Sequence, residues 1–331
     1  MRYTLTGATG FLGGELVRLL RRADHEVTAV VRDPVRAHRL EEAGVRLVRG
    51  DVADRGSLRP ALEGAEGVFH LAAWYQVGRR NPRAEEVNLE GTRNVLELVG
   101  ELGVGKAVYT STLAVFSDTG GRVVDESHRH EGPHLSQYDR TKWLAHYRVA
   151  EPLAQEGVPI VIVQPGVTYG PGDTGPTGRL LRSYLRGRLR VIPRGTAYCW
   201  GHVEDTARAH LQAMERGRPG ETYIVAGPPH TLVEAFEIAE RLTAIPAPPV
   251  RLRPGVLRGA ARLLTAVERA IPPLAGPAEL LRVGAGVTYL GDSSKAEAKL
   301  GFEARSLEDG FETVLPELLR ELQSPPPRRT G

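Results

Sequence analysis

The sequence predicts an α/β fold, a doubly wound parallel sheet with a smaller C-terminal lobe, and three observations carry that prediction. The chain opens on a short apolar strand that runs into a glycine-rich turn and then an amphipathic helix, MRYTLTGATGFLGG. Apolar strands and helical stretches alternate from there to Gln164. After Pro165 the texture changes to dense Gly and Pro, PGVTYGPGDTGPTG. Strands this apolar, spaced by helices, imply a parallel sheet covered on both faces with right-handed crossovers.

Taken in order, the first strand is Arg2 to Thr6, followed by a helix from Phe11 to Arg22 whose apolar set is Leu12, Leu16, Leu19 and Leu20. A second strand, Glu26 to Val31, precedes a helix over Pro34 to Ala43, and a third, Val45 to Val48, ends in Gly50 and Asp51. The fourth strand, Gly67 to Leu71, runs into Ala72 and Ala73; a long helix from Ala84 to Leu102 leads to a fifth, Lys106 to Thr112. A helix over Ser136 to Gln155 and a strand over Pro159 to Gln164 complete a Rossmann-type pattern. Beyond it come an Arg-studded helix (Arg179 to Arg188), a helix over Val203 to Arg216, a strand at Glu221 to Val225 and an amphipathic helix from Val256 to Ala270. The expected division is therefore a dinucleotide-binding domain over 1–165, to which 201–226 and parts of the C-terminus return. A substrate-binding lobe over 166–200 and 227–320 and a disordered tail over 321–331 make up the rest.

The opening turn is a candidate phosphate cradle. Gly7, Gly10 and Gly13 form a G-x-x-G-x-x-G run: Gly7 permits the tight turn, Gly10 lets backbone approach a pyrophosphate, and Gly13 lets the helix pack close to the sheet. The helix N-terminus adds unpaired N–H groups and a partial positive charge. Composition narrows the remaining classes. With 331 residues, 41% hydrophobic and 25% charged, the chain can bury a large core. A net charge of only +3, without a basic run, argues against a nucleic-acid partner. The single Cys199 excludes an internal disulfide and suits a reducing compartment, and no run of 18 apolar residues is present to span a membrane; a cytoplasmic protein is expected.

The end of the second strand reads on the cofactor. A carboxylate there would bind a ribose 2′-hydroxyl, but the sequence is VVRDPVR, with Arg32 just past the strand and Arg36 one turn on. A guanidinium meets a 2′-phosphate, so NADP(H) is the expected cofactor, with NAD(H) as the alternative if Asp33 turns to the ribose instead. Asp51 and Val52, after the third strand, fall where an adenine would lie.

The strongest chemical signal is Tyr138 and Lys142 in SQYDRTKW. Residues four apart share a helix face, so an ammonium can sit beside a phenol, and a nearby positive charge lowers the pKa of that phenol. Tyr138 is then a candidate general acid for a carbonyl oxygen. This helix follows the fifth strand, whose end carries Ser111 and Thr112.

TGATGFLG, HLAA (His70 to Ala73), VNLEGTRNV (Val87 to Val95), YTSTLAVFS, YDRTK, PGVTYGPGD and DSSKAEAKLGF occur in that order. Together they resemble an extended short-chain dehydrogenase/reductase of the NAD-dependent epimerase/dehydratase group over residues 1 to about 320. The PGVTYGPGDTGPTG and WGHVEDTARAH blocks look most like the dihydroflavonol 4-reductase-like branch. The resemblance implies Tyr138 as acid/base, Lys142 as the residue that holds the nicotinamide ribose and lowers the phenol's pKa, and Thr112, where the family usually has Ser, as a hydrogen-bond partner of the substrate oxygen. Cofactor contacts are implied for Gly7, Thr9, Gly10, Phe11, Leu12 and Gly13, for Leu71, Ala72 and Ala73, and for Pro165 and Val167. Asn88 matches a helix residue with a structural role, Gln164 stands where many relatives have Arg, and two helices per subunit imply a homodimer through Trp143, Leu144 and Tyr147.

For the substrate, Trp74, Tyr75, Tyr169 and Trp200, with Tyr198 nearby, suggest an aromatic rim and a small-molecule carbonyl substrate of bulky, apolar character. Arg179, Arg182, Arg186 and Arg188 keep a nucleotide-sugar epimerase or dehydratase as the alternative, and a non-catalytic dinucleotide-binding regulator is the third reading. His128, His130 and His134 are spaced too irregularly to argue for zinc, and no metal is expected. Asp205 is expected to cap or brace a helix, and Cys199 to be a small apolar residue.

Overall fold

A computed structural model describes residues 1–76, 81–267 and 275–323. Its strands, in chain order, are β1 (Arg2–Thr6), β2 (Glu26–Val31), β3 (Arg46–Arg49), β4 (Gly67–His70), β5 (Lys106–Thr110), β6 (Ile160–Pro165), β7 (Val167–Tyr169), β8 (Val191–Pro193), β9 (Ala197–His202), β10 (Thr222–Val225), β11 (Pro229–Thr231), β12 (Val250–Leu252) and β13 (Thr288–Tyr289). Seven of them form one parallel sheet in the order β10-β6-β5-β4-β1-β2-β3. The order reverses between β1 and β4, and a crevice outside the carboxyl ends at such a reversal is where ligands of these sheets bind.

Alternation along each strand builds two apolar layers. Tyr3, Leu5, Phe69, Val108, Val161 and Val163 face one side, where the helices Phe11–Arg22 and Val203–Arg216 pack. Val68, Ala107, Tyr109, Ile160 and Ile162 face the other, against the helices Arg55–Leu62 and Gly91–Glu101. On this second side the register aligns Thr6 with His70 and His70 with Tyr109, which puts three polar side chains in a row at the carboxyl ends of neighbouring strands.

Beyond β6, strands β7, β9, β11 and β13 form a second small sheet, and β8 pairs with β12. A third core gathers Tyr169, Tyr184, Trp200, Phe236 and Phe311 with the helices Leu232–Thr243 and Leu307–Gln323. Asp205 braces this region: its carboxylate takes both Nε and Nη2 of Arg305 at 2.8 Å.

Several element boundaries differ from expectation. Both long helices contain a π-turn, at Glu86–Glu90 and His146–Ala150, flanked by Arg83–Glu85 and Gly91–Glu101 in one case and by Gln137–Ala145 and Glu151–Gln155 in the other. The helix Arg55–Leu62, capped by Asp54 accepting from Gly56 N, was not expected at all, because Pro60 interrupts its pattern. The Arg-studded helix is Pro176–Leu185. The later amphipathic helix is Pro254–Val267, and its expected extension to Ala270 lies outside the described residues. The last helix continues to Gln323, so 321–323 are helical where a disordered tail was expected; 324–331 lie outside the described residues. Tyr147, expected on a dimer face, is instead buried beside Leu113 and Phe116, while Trp143 and Leu144 are half-buried.

Candidate active site

The turn after β1 is shaped for backbone to approach a ligand. Gly7 holds φ +80°, and a Cβ there would lie 2.7 Å from Ala72 N, so only glycine lets β1 and the loop after β4 converge. A Cβ on Gly13 would lie 2.1 Å from Gly7 O, which fixes how closely the first helix turn abuts the sheet. Thr9 and Gly10 are exposed, and Phe11 and Leu12 are half-buried in the first turn, whose N–H groups have no intrahelical partner. Leu71 and Ala72 are half-buried across the crevice and Ala73 is exposed. The Cβ-free cradle and helix terminus fit a dinucleotide pyrophosphate.

At the end of β2, Asp33 is occupied locally. Its Oδ1 accepts from Val35 N and Arg36 N at 3.1 and 3.4 Å, and its Oδ2 lies 3.6 Å from Arg36 Nε. Arg32 is exposed and has no partner among the described residues. Asp51 accepts from Ala53 N and pairs with Arg83 Nη2 at 3.1 Å, whereas Val52 is buried and holds its neighbour through its carbonyl, which accepts from Asn94. Pro165 ends β6 beside Val225, and Val167 opens β7 opposite Trp200.

Tyr138, Lys142 and Thr112 converge at the carboxyl end of β5. Ser136 caps the helix by accepting from Asp139 N at 3.0 Å, which places Tyr138 and Lys142 one turn apart on the side facing β5. The ring of Tyr75 stands edge-on against the Tyr138 ring with centroids 4.6 Å apart, and Thr112 is near enough to the Tyr138 phenol to oppose the rise of its pKa. Asn88, in the first π-turn, takes Trp74 N at 2.7 Å and donates to Trp74 O at 3.0 Å, so it holds the backbone that carries Trp74 and Tyr75.

The electrostatics differ from the sequence expectation. Lys142 Nζ donates to Tyr109 Oη at 3.0 Å and to Thr110 O at 2.7 Å. Burial pushes the Tyr138 phenol well above its ordinary value, with Tyr75 reinforcing the rise and Thr112 opposing it. Burial likewise pushes the Lys142 amine down to about 7. Next to them Asp139 is buried against Ser136 Oγ and Tyr289 Oη, and desolvation raises its carboxyl to about 6.

Tyr169 and Trp200 are not at a rim. Tyr169 is fully buried, with its ring 5.4 Å from Phe311, and Trp200 sits in the same cluster with Nε1 donating to His230 O. Their side of β7 and β9 faces the third core because Phe311 and Leu315, far along the chain, cover it. Tyr198 and Tyr289, stacked at 6.0 Å, stand near Asp139 instead. Sequence reasoning missed Tyr289, Tyr109, Thr92 and Glu279. Tyr109 reads as one more apolar strand residue, and Glu279, buried and accepting from Gln137 N at 2.9 Å, comes from a distant helix.

A glycine cradle at the sheet reversal and a Tyr–Lys pair beside it define an NAD(P)-dependent enzyme of the extended short-chain dehydrogenase/reductase type. The chain belongs to the NAD dependent epimerase/dehydratase family, whose model matches residues 3–226. It is 32% identical over 325 residues to sterol demethylase protein B of Methylococcus capsulatus, covering 94% of this chain and 96% of that one. It is 33% identical over 255 residues to a putative dihydroflavonol 4-reductase of Synechocystis, 74% of each chain. Among solved structures, that of gox2253 matches with a TM-score of 0.85 at 28% identity, over 97% of this chain and 98% of that one.

Proposed function

We propose that the protein is an NADP(H)-dependent reductase of a ketone or aldehyde on a bulky, largely apolar molecule. The observation that carries this reading is the Tyr138 phenol packed under the edge of Tyr75 with Lys142 one helix turn away, the Lys142 amine anchored at the end of β5 on Tyr109 Oη and Thr110 O. Bound across the carboxyl edge of the sheet, NADPH would supply a hydride. Gly7, Gly10 and Gly13 would hold its pyrophosphate and Arg32 its 2′-phosphate, with Asp33 engaged elsewhere. Thr112 and Tyr138 grip the substrate oxygen, and Tyr138 gives it a proton. A phenol whose pKa burial has raised keeps its proton at neutral pH, which suits the reductive direction. Lys142 spends two N–H groups on Tyr109 and Thr110, and the third is left for the cofactor side.

The pocket chemistry supports an apolar substrate over a sugar nucleotide. Tyr75, Tyr198 and Tyr289 are the aromatic groups gathered around Tyr138 and Asp139. Two of the arginines that might clamp a diphosphate are committed: Arg179 Nη1 donates to Thr174 O, and Arg182 donates to Asp173 O and pairs with Glu321. The names of two relatives, sterol demethylase protein B and a putative dihydroflavonol 4-reductase, point the same way. We further propose a homodimer through the helices around Leu144.

A panel of aromatic ketones, flavanonols, steroids and UDP-sugars, followed by NADPH absorbance and separately by sugar epimer formation, tests the reading. Net NADPH oxidation with an apolar ketone is expected. Epimer formation without net cofactor turnover would replace it with the sugar-nucleotide reading.

A further inference from the structure

The row of polar groups on one face of β1, β4 and β5 ends beside Lys142, and the hydrogen positions along it follow from the partners. Thr92 Oγ1 donates to Asn88 O at 2.7 Å, so its one hydrogen is committed and it accepts from its other neighbours. Among them is His70 Nε2, at 3.1 Å. His70 is therefore the Nε2–H tautomer, and its Nδ1 accepts from Thr6 Oγ1 at 2.7 Å. Thr6 in turn accepts from Ala72 N at 3.3 Å, in the loop against Gly7. The Tyr109 oxygen presents a lone pair to Lys142 Nζ at 3.0 Å, and the ammonium lies 4.6 Å from the Tyr109 ring centroid. Thr6, His70, Thr92, Tyr109 and Lys142 are all buried.

We propose that Tyr109 is a positioning residue for Lys142: its phenol oxygen, on a ring stacked against His70, keeps the buried amine charged and aimed. The inference rests on the reading of Lys142 as a cofactor-holding residue. A buried ammonium exists only where acceptors replace water, and here there are two, the Thr110 carbonyl and the Tyr109 oxygen. The titratable groups that interact with Lys142 are Tyr109 on β5, His70 on β4, and His146 in the π-turn that follows its own helix, with Tyr138 one turn before it on that helix. His70 is held neutral, its pKa lowered to about 3 by burial and by the Lys142 charge, so it neither adds to nor screens that charge at neutral pH. Removing the Tyr109 oxygen removes one of the two acceptors of the ammonium, while the ring and its stacking on His70 remain.

Because Lys106, Lys142, Lys295 and Lys299 are the only lysines in the chain, the Lys142 side chain can be followed by NMR on lysine-labelled protein, assigned with Lys142→Met. In the cofactor-free protein, Tyr109→Phe is expected to lower the Lys142 midpoint by about one pH unit, the loss of one hydrogen bond to a charged group. Activity should then fall with rising pH about one unit earlier, whereas a purely structural role would lower the rate without moving that limb. If Tyr109→Phe does not fold, Tyr109→Met carries the same test: it too lacks the phenol oxygen, and the midpoint moves the same way. A Lys142 midpoint that does not move in the folded variant overturns the proposal. Tyr138→Phe tests the underlying reading separately; if it leaves reductase activity intact, that reading fails while the lysine titration stands.

Discussion

Replacing Arg32 should switch cofactor preference, and the structure gives the size of the effect. Asp33, the residue that would favour a free ribose hydroxyl, is held by two backbone N–H groups and by Arg36. Arg36 is 89% exposed, so its contribution to phosphate binding should be no more than about 1 kcal/mol. Arg32 has no partner among the described residues, and a charge-assisted bond to a phosphate contributes about 1.5 to 3 kcal/mol. Arg32→Asp is therefore expected to weaken NADPH binding by roughly 10- to 150-fold and to leave NADH binding unchanged or improved. Arg36→Ala should cost about fivefold or less. Asp33→Ala frees Arg36 and should tighten NADPH slightly. Fluorescence titration of the four proteins with both nucleotides measures this. Tighter NADH than NADPH binding in the unaltered protein, or an unchanged ratio in Arg32→Asp, would refute the reasoning.

Three further outcomes are expected. Gly13→Ala, whose Cβ would lie 2.1 Å from Gly7 O, should lose cofactor binding and about 1 to 3 kcal/mol of stability, read by nucleotide titration and thermal melting. Arg305 holds the Asp205 carboxyl below its ordinary range against the opposing pull of burial. That depressed folded value stabilises the protein above the unfolded carboxyl pKa near 4 and is lost as pH falls below it. Asp205→Asn should accordingly lower the melting temperature at pH 7 and narrow its gap to the unaltered protein in acid. Leu144→Arg should convert a dimer to a monomer in light scattering; a monomer before the change would remove the dimer proposal.

How far the sequence was legible follows from where each signal is stored. The helices Phe11–Arg22 and Val203–Arg216 and the strands Arg2–Thr6 and Glu26–Val31 stand at their expected bounds, because apolar period and turn glycines are local. The placing of Lys142 one helix turn from Tyr138 and beside the end of β5 was likewise readable, from helix period and a strand end. The π-turns were not, since an inserted residue leaves the apolar pattern nearly intact while rotating everything after it. Tyr169 and Trp200 were misplaced because the side of a short strand that is covered depends on Phe311, over a hundred residues away. The same limit hid Tyr109: its neighbours Thr6, His70 and Thr92 meet it only through sheet register and a crossing helix.

The account turns on Tyr138 as the proton donor to a reduced carbonyl. Its most direct test is single-turnover NADPH oxidation by the unaltered protein and by Tyr138→Phe, on a ketone that the panel shows to be turned over. The predicted result is a rate lower by about 10²- to 10⁴-fold with NADPH affinity nearly unchanged, since the lost group acts on the transition state. A variant that oxidises NADPH at the unaltered rate would contradict the account.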